Sequence, residues 1–240
     1  MLKFKSNNLA YKLKEKANEY MQANSYKSAV KEYLSAILLD KNDFESYLGL
    51  GISYKYLNRT DKAIDALEKA LLLNQNDAKV YYELGICYLI TGRICQAIQN
   101  LRNSIYIDRK NLNAQIQLGL AHEALDEPEM ALLIYKTIME NHPSYVRAYE
   151  QTAFLLMDMK KYQEAGQILA KLVKIFPECT HAYLGLGVCY ENLNNIKRAK
   201  RYYNKFISLC SDQEEINTIT NKIKNMDLSK IKKSTYLRLL

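Results

Sequence analysis

The sequence predicts an all-α chain, a stack of helix-turn-helix units forming one elongated solenoid, and three observations predict it. With Ala78 as position 1 of a 34-residue unit, position 20 reads Ala29, Ala63, Ala97, Ala131, Ala165 and Ala199. Alanine is about one residue in twelve of this chain, so six in phase mark an internal repeat rather than composition. Position 8 is small in every unit: Gly51, Gly85, Gly119 and Gly187, with Ala17 and Ala153. Finally, positions 4, 7, 8 and 11 have the i, i+3, i+4, i+7 spacing of one helical face, and positions 20, 24, 27 and 28 repeat it further on.

Residues 1–9 read as a polar lead-in, with Ser6, Asn7 and Asn8 available to cap the first helix. Six units follow without insertion, at 10–43, 44–77, 78–111, 112–145, 146–179 and 180–213. Later first helices have cap residues in register at Asp43, Asp77 and Asn111, then at Ser144 and Thr180, shifted by a residue or two. Breakers separate the two helices of a unit: Asn58, Gly92, Asp126 to Pro128, and Asn194 with Asn195. Pro143 and Pro177 follow second helices they cannot continue, and Pro128 suits the first turn of one. A mid-helix glycine costs about 1 kcal/mol against alanine. The position-8 glycines therefore imply a compensating close approach of the position-20 alanine. Beyond 213, Ile216, Ile219, Ile223 and Met226 share one face, as expected of a helix covering the last apolar surface of a solenoid. Residues 214–240 thus read as a capping helix and a basic, apolar tail ending in Tyr236, Leu237, Leu239 and Leu240.

The whole pattern, with Tyr47, Tyr81, Tyr149 and Tyr183 at position 4, leucine at 7, Gly or Ala at 8, Tyr20, Tyr54, Tyr88 and Tyr190 at 11, Ala at 20, Tyr or Leu at 24 and Pro143 and Pro177 at 32, resembles the tetratricopeptide repeat over residues 10–213. The departures are the absence of tryptophan, and Lys16 and Thr152 at position 7. The resemblance implies a right-handed superhelix with the first helices lining a concave groove and positions 2, 5, 9 and 12 facing into it. In this chain those positions carry Leu48, Ile52, Tyr82, Ile86, Leu89, Ile116, Leu120, Phe154, Met157, Leu184 and Val188. Positions 5, 9 and 12 form their own stripe beside the core stripe, so the first helices are apolar over a wider arc than packing within a unit needs. Either the next unit covers the excess, or it is a trough for a partner's amphipathic helix or extended apolar peptide. Some members of the family grip an acidic C-terminal peptide with a clamp of Lys and Asn. Lys14, Asn18 and Lys79 match clamp positions, whereas Gly49 stands where Asn is expected and Glu83 where a basic residue is.

Net charge is +8, with the excess at the C-terminal end, from Lys197 to Lys205 and from Lys222 to Arg238. That is a solvated basic face, or a surface for an acidic partner or phosphate. Nucleic-acid binding would demand steep salt dependence, and no stacking or groove-reading motif accompanies the charge. The five Cys lack C-x-x-C spacing, and the three His are scattered. No metal or cofactor is expected. Cys87 and Cys189 read as small core residues, and His122, in a tyrosine column, as a satisfied interior group. No catalytic cluster stands out. The N-terminus lacks the apolar run of a signal peptide, no apolar stretch is long enough for a membrane span, and a cytoplasmic protein is expected. The expected role is a non-enzymatic adaptor or chaperone-like scaffold binding another protein. The other readings are the carboxylate clamp and self-association, with the tail Tyr236 to Leu240 seated in the groove of another copy or in its own.

Overall fold

A computed structural model describes the backbone of residues 2–237 and the side chains of residues 8–226. Among the described residues there are thirteen helices and no strand. The helix α1 spans Leu2–Gln22. The other first helices are α3 (Phe44–Tyr56), α5 (Ala78–Ile90), α7 (Leu112–Ala124), α9 (Val146–Asp158) and α11 (Thr180–Asn192). The second helices are α2 (Tyr26–Leu39), α4 (Thr60–Leu73), α6 (Ile94–Ile107), α8 (Pro128–Asn141), α10 (Tyr162–Ile175) and α12 (Ile196–Leu209), and α13 (Gln213–Leu237) closes the chain. Each of the helices from α2 to α12 keeps its register at the 34-residue step, so the sequence period is a structural period. The lead-in differs from expectation. Backbone from Leu2 is already helical, which places Ser6, Asn7 and Asn8 inside α1 rather than at its cap.

The chain divides into two compact units, residues 1–134 and 135–240. In the first, α1 packs on α2, α3 on α4 and α5 on α6; α2, α4 and α6 each pack also on the next first helix; and α1, α3, α5 and α7 touch in succession. In the second, α9 packs on α10 and α11, α10 on α11, α11 on α12, and α12 on α13. First helices thus adjoin one another while the second helices adjoin first helices, so within each unit the first helices form an inner row and the second an outer one.

What holds a hairpin together is the position-24 side chain. Tyr33, Leu67, Leu101, Tyr135, Leu169 and Tyr203 are all buried. A Cβ on Gly51 would lie 2.6 Å from Leu67 Cγ, and one on Gly85 2.7 Å from Leu101 Cγ. The Ala63 carbonyl stands behind at 3.2 Å from the Gly51 site, so the expected approach of the second helix is real but the leucine makes the tighter contact. The same side chain reaches the next unit. Tyr33 lies against Gly49, and Leu169 Cδ1 is 2.7 Å from where Gly185 would carry a Cβ. The position-20 alanines are fully buried in all six places.

The turns are as regular as the helices. Position 15 is left-handed throughout: Asn24 (φ 54), Asn58 (φ 57), Gly92 (φ 73), Asp126 (φ 59), Lys160 (φ 59) and Asn194 (φ 56). Asn and Asp tolerate this region because a short polar side chain can bond locally, and Gly has no Cβ to clash. Lysine has neither advantage. Asp43, Asp77 and Asn111 cap their helices by accepting from Ser46, Val80 and Ala114 N–H. The two shifted caps are not made. Tyr145 and Cys179 occupy the cap positions of α9 and α11, neither with a side-chain bond that caps the helix, and Thr180 is already helical.

In the second unit α13 packs on α12, with Ile219 and Met226 buried. The helix continues to Leu237. The side chains of Tyr236 and Leu237, and residues 238–240 entirely, lie outside the described residues. Cys87 and Cys189 are fully buried, and burial pushes both thiols up to about 11. The His122 ring is buried, with Nδ1 2.6 Å from a Glu127 carboxylate oxygen.

Three outcomes follow from this geometry. Lys160→Asn should raise the denaturation midpoint, gaining about 0.5–1 kcal/mol as left-handed strain is relieved. Gly85→Val should lower stability by about 1–3 kcal/mol, because the added methyls overlap Leu101 in a packed core. Iodoacetamide labelling of the native protein near neutral pH, read by mass spectrometry, should modify exposed Cys95 and spare Cys87 and Cys189 until denaturant is added.

Candidate functional site

The inner row of the second unit contains a hollow of about 390 Å³. Phe154, Met157 and Asp158 of α9 form one wall, and His181, Leu184, Gly185, Val188 and Asn192 of α11 the other, with Tyr162 of α10 at one end. The helix register explains the lining. Phe154, Met157 and Asp158 follow at i, i+3, i+4, and Leu184, Val188 and Asn192 at i, i+4, i+8, so each set shares a face. Gly185 lets α11 seat directly on Leu169 of α10. The Phe154 side chain is left about half bare, at 52% exposed. The floor is apolar and the rim polar, through Asp158, His181 and Asn192. Four of the expected groove residues, Phe154, Met157, Leu184 and Val188, are therefore brought together. Among the described residues, no group of three or more His, Cys, Asp or Glu side chains could hold a metal ion.

The first unit is more closed. Ile116 is fully buried and Ile52 8% exposed, which removes both as contacts for a partner. Leu48 and Leu89 lean on the core cluster that contains Leu67, Val80 and Leu84. Tyr82, Ile86 and Leu120 remain half-buried on the inner row. Next to them, Lys55 of α3 and Glu83 of α5 form an ion pair of 2.6 Å with side chains 15% and 9% exposed. Burial works to lower the Lys55 pKa, but the hydrogen bond and charge of Glu83 outweigh it and hold the ammonium above its ordinary value.

Two of the three clamp-like residues, Lys14 and Asn18, are engaged within the fold. The Lys14 ammonium is 2.6 Å from Glu45 and 3.3 Å from Asp43; burial lowers its pKa, and the two carboxylates more than restore it. Asn18 Oδ1 accepts the Tyr33 hydroxyl at 2.6 Å. Gly49 is the seat of the Tyr33 ring, and Glu83 is the partner of Lys55. Lys79 is exposed on α5. Sequence reasoning missed position 13, where Asp158 and Asn192 line the hollow and Tyr56 and Ile90 are 54% and 60% exposed. The signal was available, since position 13 is one helical turn beyond position 9.

Helical hairpins repeated at one register, with the position-24 side chain buried in every one, define a solenoid of the helix-turn-helix repeat class, an architecture that serves as a protein-interaction scaffold. Tetratricopeptide repeat family profiles match residues 17–56, 44–77, 66–99 and 156–206. The chain belongs to the tetratricopeptide repeat family, whose members are typically non-catalytic scaffolds. Among curated proteins, it is 26% identical over 93 residues to the protein CTR9 homolog of Arabidopsis thaliana, a match taking in 38% of this chain and 8% of that protein. Among solved structures, the C-terminal part of a repeat protein from Cytophaga hutchinsonii aligns with a TM-score of 0.76 at 17% identity, covering 91% of this chain and 90% of that one. YrrB, a tetratricopeptide protein with an unusual peptide-binding site, aligns with a TM-score of 0.58 at 22% identity, covering 79% of this chain and 97% of that one. At these identities the likeness is one of fold. No helix among the described residues is long and apolar enough to cross a membrane.

The Lys55–Glu83 pair gives a direct check on the inner row. Lys55→Ala and Glu83→Ala should each cost about 1–3 kcal/mol, because each strands a partly buried charge. The double variant should cost less than the two summed, a coupling read from a denaturation double-mutant cycle.

Proposed function

We propose that the chain is a non-catalytic adaptor or chaperone-like scaffold whose inner face holds an apolar helix or extended apolar peptide of another protein. One observation carries the reading: Phe154, Met157, Leu184 and Val188 share a single open hollow, with the Phe154 side chain half bare. A concave apolar floor with a polar rim is the usual form of a binding site. At about 390 Å³ it has room for one or two large anchor side chains of a bound segment. The polar side chains of Asp158 and His181 and the amide oxygen of Asn192, whose Nδ2 donates to the Val188 carbonyl, can meet the segment's backbone. Tyr82, Ile86 and Leu120 of the first unit offer a second apolar contact area of the same kind. An apolar segment is favoured over an acidic C-terminal peptide because the Lys14 ammonium and the Asn18 carbonyl already have partners inside the fold. The peptide-binding site of YrrB, a protein of similar fold, is in keeping with this reading. The five free cysteines support a reducing, cytoplasmic setting.

Selection of binders from a displayed library of helical and extended peptides on the full chain tests the idea. Enriched peptides should carry large apolar anchors. Phe154→Glu with Leu184→Glu should weaken them by about 100-fold or more, as expected for the loss of two central anchors, with the circular dichroism spectrum unchanged. Ile86→Glu with Leu120→Glu reports on the first unit in the same assay. Peptides that bind the Phe154/Leu184 variant as tightly as the native chain would remove the hollow as the site.

A further inference from the structure

The outer row of the first unit carries a second pattern that the inner hollow does not use. Position 29 is apolar and almost bare in its three second helices: Leu38 is 78% exposed, Leu72 77% and Tyr106 80%. At the same position α8, α10 and α12 carry Glu140, Lys174 and Ser208, so solubility is restored where the pattern stops. Bare leucines in register on adjacent helices are more than the scattered apolar residues of an ordinary surface. The charges beside them are also ordered. On α2 the exposed stripe at positions 18, 22, 25 and 29 is Lys27, Lys31, Leu34 and Leu38. On α4 the same positions are Asp61, Asp65, Glu68 and Leu72. Each stripe ends in leucine, and at positions 18 and 22 the charges have opposite sign; at position 25 Leu34 corresponds to Glu68, whose carboxylate accepts the Tyr88 hydroxyl. Arg93 approaches Asp61 only loosely, at 3.9 Å, and Asp61 stays 86% exposed.

We propose that this outer wall is the interface of a homodimer in which α2 of each copy lies parallel against α4 of the other, about a two-fold axis running along the helices between them. In that arrangement Lys27 and Lys31 face Asp61 and Asp65 of the second copy, and Leu38 faces Leu72. The two-fold makes every contact twice, as an isologous interface requires. The alternatives are worse. An axis along α4 sets Asp61 and Asp65 on their own images, and one along α2 does the same to Lys27 and Lys31. An axis across the helices puts Lys27 over Leu38, Asp61 over Leu72 and Asp65 over Glu68. An axis between α4 and α6 yields only the pair of Glu68 with Arg102, and Glu68 already accepts the Tyr88 hydroxyl. A wall two helices wide and about 20 Å tall is at the small end for a stable interface, so association in the micromolar range is expected. The charge pattern sets the register and the salt dependence.

Sedimentation of the full chain across about 1–100 µM tests this. Native protein should pass from a 27.9 kDa monomer to a species of twice that mass, and added salt should shift the equilibrium back toward monomer. Lys27→Glu with Lys31→Glu should be monomeric, as should Asp61→Lys with Asp65→Lys. An equimolar mixture of the two should form a heterodimer, since one variant then has two acidic stripes and the other two basic ones. Leu72→Ser, which keeps every charge, should weaken the native dimer at least ten-fold. Phe154→Glu should dimerise like the native chain, which separates this surface from the inner hollow. A native chain that stays monomeric throughout would overturn the proposal and leave the wall to a different partner. Charge variants that still dimerise, or a mixture that does not, would overturn it equally.

Discussion

The contact on which the rest of this structure depends is the insertion of the position-24 side chain between its own hairpin and the next. Leu67 lies where Gly51 has no Cβ, Leu101 where Gly85 has none, and Tyr33 and Leu169 reach forward to Gly49 and Gly185. One buried group thus makes both the intra-hairpin and the inter-hairpin contact. A repeat protein is stabilised by neighbour interfaces rather than by a central core, so this residue is where local and propagated stability meet. The helical cost of the glycines, about 1 kcal/mol each, is offset because the approach they permit buries a leucine or tyrosine completely.

The same economy explains which parts of the fold were legible in the sequence. Columns at positions 8, 20 and 24 could be read because steric exclusion leaves few residue types there, and the helix bounds follow their phase. Asp43, Asp77 and Asn111 were readable as caps because the chemistry of capping is local. Ser144 and Thr180 misled because a cap-competent residue one or two places out of register competes with the repeat, and the repeat wins. Lys160 was invisible for a related reason. Its left-handed backbone is imposed by the hairpin geometry that Asn or Gly supplies elsewhere, so nothing in its own side chain announces it.

The inner face was legible only as an arc of apolar positions. Whether Ile116 or Phe154 stays open depends on the packing of neighbouring helices, a tertiary quantity that a periodicity cannot hold. Ile116 is fully buried and Phe154 is 52% exposed although both are large apolar residues at groove positions. The outer face shows the complementary case. A bare Leu38 or Leu72 is unremarkable one at a time in the sequence, and becomes a pattern only once exposure is known for the whole column.

Core chemistry also constrains what the inner face can recognise. The chain has 20 tyrosines and no tryptophan, and a buried phenol needs an acceptor, since an unsatisfied polar group in the interior costs about 1–3 kcal/mol. Tyr33 takes Asn18, Tyr88 takes Glu68 and Tyr203 takes Glu191, which in turn holds Lys222 at 2.8 Å. Burial, with a nearby carboxylate, pushes the Tyr33 and Tyr88 phenols up to about 12, so these hydroxyls remain donors across any physiological pH. Asn18 is a polar group that a clamp for an acidic peptide would use, and Lys14 and Glu83 are bound up in ion pairs of their own. With Lys14, Asn18 and Glu83 committed to internal bonds, Lys79 is the one clamp-like side chain left exposed without such a bond among the described residues. On the function proposed above, this favours an apolar segment over a charged one as the partner of this face.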